Sequence, residues 1–288
     1  MFRADLSRLT QGMTERSNTH QNSPILVLGG TGKTGRRVVD RLTERGVLTR
    51  VGSRSAEIPF DWEDRSTWGP ALEGVSAVYI SFYPELAFPG ATETIEVFTR
   101  TAVAAGARRL VLLSGRGEEE ARASELVVER SGVAWTIVRA SWFNQNFSEN
   151  FLLGPVLSGD IALPAGDAAE PFVDADDIAD VAVAALTSEG HDGQVYEVAG
   201  PRLLTFADVA KEISDATGRD VRYTPVSTEE YAAVLRAQDL PMEFVDLFTK
   251  ILDGRNASLT DGVRRALGRE PRDFRDYARA TAATGVWG

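Results

Sequence analysis

Gly29, Gly32 and Gly35 stand at G-x-x-G-x-x-G spacing in the run Gly29-Gly30-Thr31-Gly32-Lys33-Thr34-Gly35. The chemistry such a run offers is that of bare backbone amides. Without a Cβ, the chain can approach a bulky anion closely. At the start of a helix, the unpaired N–H groups and the partial positive charge favour a phosphate. Glycines at this spacing also occur in plain tight turns, so the flanks decide. Ile25-Leu26-Val27-Leu28 precede the turn as a short apolar strand, and Val38, Val39 and Leu42 follow on one helical face. A second apolar run, Leu48 to Gly52, comes at the distance a strand-helix-strand unit requires. The pattern predicts a bound dinucleotide, with Gly29, Gly30, Thr31, Gly32, Lys33, Thr34 and Gly35 around its diphosphate.

The end of that second run chooses between the two nicotinamide cofactors. A carboxylate there would bind a free 2′-hydroxyl, whereas an arginine would bind a 2′-phosphate. The chain reads Val51-Gly52-Ser53-Arg54-Ser55, with no acid. Arg54 can fork onto a phosphate and Ser53 can donate a hydroxyl, with Lys33 adding charge to the same anion. NADP is therefore expected over NAD, against the alternative of a solvated loop arginine. Farther on, Asp61 and Trp62 either border the adenine or belong to a helix start capped by Asp64. Ser81-Phe82-Tyr83-Pro84 and Ser114-Gly115-Arg116-Gly117 each follow an apolar run, where the ribose and nicotinamide would pass. The carboxylates Asp174, Asp176, Asp177 and Asp180 admit acid–base or magnesium chemistry. The reading preferred is a helix beginning at Asp177, with its positive end lined by acids.

These residues need a scaffold, and the first half of the chain supplies alternating signals. Strands are expected at 25–28, 48–52, 57–60, 76–80, 109–113 and 134–138, and helices at 33–45, 64–72, 91–105, 118–131 and 143–153. Such alternation predicts an α/β protein: a Rossmann-like, doubly wound, mostly parallel sheet with ligands at the carboxyl ends of its strands. The second half is less regular. A helix core is expected at 181–186, strands at 194–198 and 221–223, and helices at 206–216, 228–237, 242–252, 261–267 and 273–283. The expected organisation is a flexible tail over 1–23, a nucleotide-binding core over 24–155, and a smaller C-terminal α/β lobe over 156–288 that forms the substrate cleft.

Composition narrows the partners. The 288 residues carry a formal charge of −11, which repels nucleic acid and anionic lipid, and no basic patch offsets it. There are no cysteines, which removes disulfides and thiolate chemistry and fits a reducing compartment. The only histidines, His20 and His191, lack a ligand-spaced companion, so no metal site is expected. No apolar run reaches membrane-spanning length. Residues 1–23 lack the core of a signal peptide, and Met13 is an alternative start. A cytoplasmic monomer or homodimer acting on a small molecule is expected.

Taken together, the glycine turn, Val111-Leu112-Leu113-Ser114, Glu125 with Ser131-Gly132-Val133-Ala134-Trp135, Trp142-Phe143-Asn144-Gln145-Asn146-Phe147, Phe172 to Ala179 and Gly200 to Phe206 resemble the NmrA-like group of atypical short-chain dehydrogenases. Within it, the chain is most similar to the festuclavine dehydrogenase type and its bacterial relatives, over about residues 24–280. The resemblance implies an NAD(P)-binding fold. It leaves the substrate open among quinones, dyes, iminium ions and a non-catalytic redox-sensing role. Conventional short-chain dehydrogenases, outside this group, pair a tyrosine with a lysine four positions later, which makes the tyrosine an acid. Here the lysines are Lys33, Lys211 and Lys250, none of them so placed. The position at which other NmrA-like reductases keep a lysine or histidine is Ala121. The missing pair argues against a sugar-nucleotide epimerase. It favours an acceptor that needs little proton donation, an iminium ion or a quinone, reduced by proximity and orientation. Ser114, Tyr83 and Arg116 are the candidate catalytic polar groups. Tyr83, Trp142, Phe143 and Asn146 are the candidate substrate contacts, the two aromatic residues Trp142 and Phe143 forming a flat wall. The rival function is an NADP(H)-binding sensor that acts through a protein partner.

Overall fold

The computed structural model describes residues 23–239 and 242–288. The expected tail, with Met13 and His20, lies outside the described residues apart from Ser23. A six-stranded, wholly parallel sheet forms the centre, in the order β2-β1-β3-β4-β5-β8. Its strands are β1 (Ile25–Leu28), β2 (Thr49–Gly52), β3 (Ala77–Ile80), β4 (Arg109–Gly115), β5 (Ala134–Ala140) and β8 (Gln194–Val198). Period-two alternation loads both faces. Ile25, Val27, Tyr79, Val111 and Val138 join one buried cluster, while Leu26, Leu28, Val78, Ile80, Leu110, Leu112 and Ile137 join the other.

The first face is covered by α1 (Lys33–Glu44), whose Val38 and Leu42 are buried. The opposite face is covered by α2 (Trp68–Leu72), α3 (Ala91–Ala104) and α4 (Ala121–Glu129). The chain then passes through two short helices, α5 (Asn146–Glu149) and α6 (Leu153–Ser158), and the short strands β6 (Asp160–Leu163) and β7 (Ala169–Glu170). It returns to the first face as α7 (Ala175–Thr187), packed against α1. After β8 come β9 (Leu204–Thr205), α8 (Phe206–Thr217), β10 (Arg222–Pro225), α9 (Thr228–Ala237), α10 (Glu243–Ile251), α11 (Gly262–Leu267) and α12 (Phe274–Ala283). A lobe core of Trp142, Phe147, Phe172, Phe206, Phe248, Phe274 and Trp287 gathers β6, β9, β10 and most of these helices, and β7 pairs with β9.

Four expectations are corrected. The boundary at residue 155 does not hold, because α7, β8 and α11 belong to the sheet and its covering layer. No strand forms at 57–60: Pro59 cannot donate to a ladder, and Phe60 is buried against Trp62, Trp68 and Phe98. The helix expected at 143–153 is broken at Asn150, whose backbone is extended. The one expected at 64–72 opens as a 3-10 turn, Arg65–Thr67, capped by Asp64 on the Ser66 N–H at 3.0 Å.

One buried acid of the lobe carries a pH signature. Glu170 in β7 is almost wholly buried, and its Oε1 has no hydrogen-bond partner. Burial raises its pKa to about 7, against the pull of Arg116. A folded-state pKa above the unfolded one means stability that is present at acid pH and lost as pH rises through 7. Glu170→Gln escapes that loss. By thermal unfolding it is expected to melt a few degrees above the parent at pH 8.5, for a gain of order 1 kcal/mol. The gap should close below about pH 4.5, the unfolded value of the group; a constant offset at every pH would contradict the account.

Candidate active site

The carboxyl ends of β1, β3, β4 and β5 stand side by side along one edge of the sheet, the edge at which a parallel sheet of this order is expected to take its ligand in a cleft. The glycine turn follows β1 at that edge. Gly29 sits at φ +63°, in the region open to glycine, and its carbonyl accepts the Gly32 N–H at 2.8 Å. A Cβ on Gly30 would stand 2.9 Å from Val51, and one on Gly35 would collide with the Gly29 carbonyl. The turn is thus clamped between β1, β2 and α1. Gly32 begins α1 with no side-chain cap, and no acid stands in the first turn, so the helix presents its leading amides.

Beyond β2, Arg54 is exposed and makes no hydrogen bond or ion pair among the described residues. Ser53 is beside it, its Oγ 3.4 Å from that of Ser55. Uncapped amides, a free guanidinium and no carboxylate at the end of β2 fit a phosphorylated dinucleotide. In the 61–64 segment the helix-start reading is the one with direct support. Asp64 caps its turn, while the Trp62 indole donates to the Ser81 carbonyl at 3.2 Å and rests on Phe82 at 5.0 Å, on the cleft side.

Lys33 departs from expectation. It does not join Arg54 on the β2 side of β1. Its side chain reaches the β5 side, where Nζ donates to Asn146 Oδ1 at 2.6 Å and lies 5.5 Å above the Phe143 ring. Burial lowers its pKa to about 8, with Glu85 and Glu149 opposing. Asn146 thereby serves as a brace for this ammonium, and Phe143 as its floor.

The aromatic wall is also revised. A bridge between Phe143 and Val173, with hydrogen bonds on either side, fixes the segment as extended. Alternation then sends its neighbours the other way. Trp142 turns into the lobe core against Phe206 at 5.5 Å and Phe248 at 5.1 Å, and is no surface for a ligand. Asn144 is fully buried, and both ends of its amide are without hydrogen-bond partners.

Of the three candidate catalytic groups, two are engaged elsewhere. Ser114 shares the strand parity of Leu110 and Leu112 and donates to Glu125 Oε1 at 2.7 Å. Arg122 and Arg139 also hold that carboxylate and keep its pKa low, against burial. Arg116 is buried and spends its guanidinium on the Asn256 and Ser258 carbonyls, Ser258 Oγ and Glu197; it is a strut between β4 and the 253–260 segment. Tyr83, with a cis bond to Pro84, is 73% exposed at the lip of the cleft.

The acids at 174–180 follow the preferred reading. Asp174 caps α7 through the Asp176 N–H and accepts from Gln145 at 2.8 Å. Asp176 and Asp180 hold Arg41, and Asp177 and Asp180 hold Arg269 and Arg272. With the Arg37–Glu149 pair at 2.8 Å, they tie α1 to the lobe. Among the described residues no acid or histidine cluster is arranged for a metal, and no helix is long and apolar enough to cross a membrane.

Two acids of the cleft escaped the sequence reading. Glu85 is reached by solvent yet surrounded by protein, as suits a group lining a cleft; burial raises its pKa to about 7, partly offset by Lys33. Glu118 is pushed up to about 8, first by burial and then by Glu85, Glu120 and Glu125. Nothing local distinguishes them: Glu85 follows a proline, and Glu118 opens an acidic run that reads as a helix start.

A family model described as NAD(P)H-binding matches residues 29–189. The chain is 32% identical over 286 residues to the uncharacterized oxidoreductase YesF of Bacillus subtilis, covering 93% of this chain and 99% of that protein. It is 31% identical to the festuclavine dehydrogenase easG of Aspergillus fumigatus, over 90% of this chain and 98% of that one. Among solved structures, the NADPH-dependent quinone oxidoreductase QOR2 of Escherichia coli, complexed with NADPH, superposes with a TM-score of 0.73. That match has 20% identity and covers 89% of this chain and 99% of that one.

Proposed function

The chain belongs to the NAD(P)H-binding family of NmrA-like atypical short-chain dehydrogenases and is an NAD(P)H-dependent oxidoreductase; from that premise we propose that it prefers NADPH and reduces a conjugated or cationic acceptor, an iminium ion, a quinone or a related aromatic. When bound, the reduced nicotinamide supplies a hydride. The chain's own residues hold and orient. The amides that open α1 would take the diphosphate, Arg54 and Ser53 the 2′-phosphate, and Trp62 with Phe82 the adenine side. Tyr83 and Phe143 offer aromatic faces to a flat substrate.

The observation that carries the reading is a cofactor cradle without a tyrosine–lysine pair of the usual spacing, beside a cleft lined by acids. A cationic acceptor becomes neutral on reduction and needs no proton at the reacting carbon. A conjugated one yields a stabilised anion. The names of the relatives, a festuclavine dehydrogenase and a quinone oxidoreductase, support the same classes. Purified protein with NADPH, followed by loss of nicotinamide absorbance, should turn over members of an iminium and quinone panel and favour them over simple ketones. Turnover confined to simple ketones, or tight cofactor binding with no acceptor reduced, would defeat the proposal.

A further inference from the structure

Gly115 ends β4 with a parity opposite to that of Ser114, and a Cβ placed on it would collide with the carboxyl of Glu118. The Glu118 carboxyl therefore occupies the place of a side chain at the carboxyl end of the strand, where ligands lie in this architecture. It borders a crevice of about 460 Å³ shared with Gly117, Arg122, Asp253 and Asn256. Among the described residues no side chain donates a hydrogen bond to it.

The charged groups facing it from every side explain why it has no cation. From β4 and α4, Arg122 is held by Glu125 and Glu129. From β5, Arg139 is held by Glu125 and Glu197, the latter on β8. From the 253–260 segment, Arg255 is held by Asp253. Glu119 and Glu120 adjoin it in sequence, Glu120 pairing with Lys250. Glu85 repels its charged form, and Lys33 acts on Glu85 in turn.

We propose that Glu118 is the catalytic acid of this reductase, delivering a proton to the oxygen of a neutral conjugated acceptor; the proposal rests on the reductase reading above. As the acceptor's carbon framework takes the hydride, its oxygen becomes anionic. The O–H bond of Glu118 breaks, an O–H bond forms on the acceptor, and the carboxylate regains a proton from solvent through the crevice. Two electrons and one proton in the hydride, and one further proton from Glu118, complete the reduction of a quinone to its neutral hydroquinone or of an enone to its ketone. An iminium acceptor takes the hydride alone and draws nothing from Glu118. The pair Lys33 and Glu85 tunes the acid without touching the acceptor's oxygen.

Two measurements test this. In cofactor-free protein labelled with carboxyl ¹³C-glutamate, NMR should follow one carboxyl titrating near pH 8, which is absent in Glu118→Gln and moved in Glu118→Asp. In turnover, kcat/KM for a para-quinone should fall as pH rises through about 8, because the protonated form is the active one. In Glu118→Gln that limb disappears, and the ratio of quinone to iminium rates drops about 100-fold, within the range general acids supply; Glu118→Asp restores part of it. A Glu118 carboxyl titrating in the ordinary glutamate range overturns the proposal, as does an unchanged rate ratio in the glutamine variant. Should that variant not fold, the wild-type titration and the aspartate variant's rate ratio decide. Wild-type protein that reduces neither acceptor overturns the reductase reading, and this proposal with it.

Discussion

Gly35→Ala should weaken NADPH binding by about 100-fold, or roughly 3 kcal/mol, the upper range for forcing a methyl into a closed space. Gly35 lies in the first turn of α1, directly under the glycine loop. A Cβ there would collide with the Gly29 carbonyl oxygen and stand 2.9 Å from the Gly30 Cα. Both neighbours are backbone, so no side chain can swing aside. Either α1 backs away from β1 or the turn opens, and in each case the amides that converge on one point diverge. Calorimetric titration measures the affinity, and a thermal melt measures the accompanying loss of stability. Gly69→Ala is the matched control: that glycine lies within α2 with open space where the methyl would go. Equal NADPH affinity for Gly35→Ala and the parent would show that the turn does not hold the diphosphate.

The second large effect concerns the choice of cofactor. Arg54→Ala should cost NADPH about 1.5–3 kcal/mol, the worth of hydrogen bonds to a charged group. That corresponds to roughly a 10- to 150-fold rise in its dissociation constant. NADH, which lacks the 2′-phosphate, should change little. The guanidinium is exposed and engaged by nothing else among the described residues, so its removal leaves no partner stranded. Parallel titrations with the two cofactors give the comparison, and an equal loss for both would take Arg54 out of the 2′-phosphate role. Because Lys33 is turned to the β5 side, Arg54 is expected to carry that discrimination without it.

How legible this protein was depends on how local each signal is. β1, β8 and α9 lie where the residue pattern put them, Ile25–Leu28, Gln194–Val198 and Thr228–Ala237, because an apolar run or a capping serine is a property of adjacent residues. β7 and β9 span two residues each, too short for any period to register. That β8 completes the main sheet, so that the chain crosses between layers twice, is a pairing between residues nearly sixty positions apart. The glycine turn and Arg54 could be read because their chemistry resides in their own types and spacing. Glu85 and Glu118 could not, since a raised carboxyl pKa is created by neighbours that only the fold assembles. Trp142 and Phe143 were separable only in part. Which of the two meets the cleft depends on strand parity, and the bridge to Val173 sets it.

The arginine and carboxylate lattice around α1 has a mechanical consequence. Arg37 grips Glu149, Arg41 grips Asp176 and Asp180, and Asp177 and Asp180 grip Arg269 and Arg272 just before α12. Through these pairs α1 is fastened both to α5 and, by way of α7, to the segment that leads into α12. A ligand that stiffened the tip of α1 is therefore expected to stiffen those parts of the lobe as well.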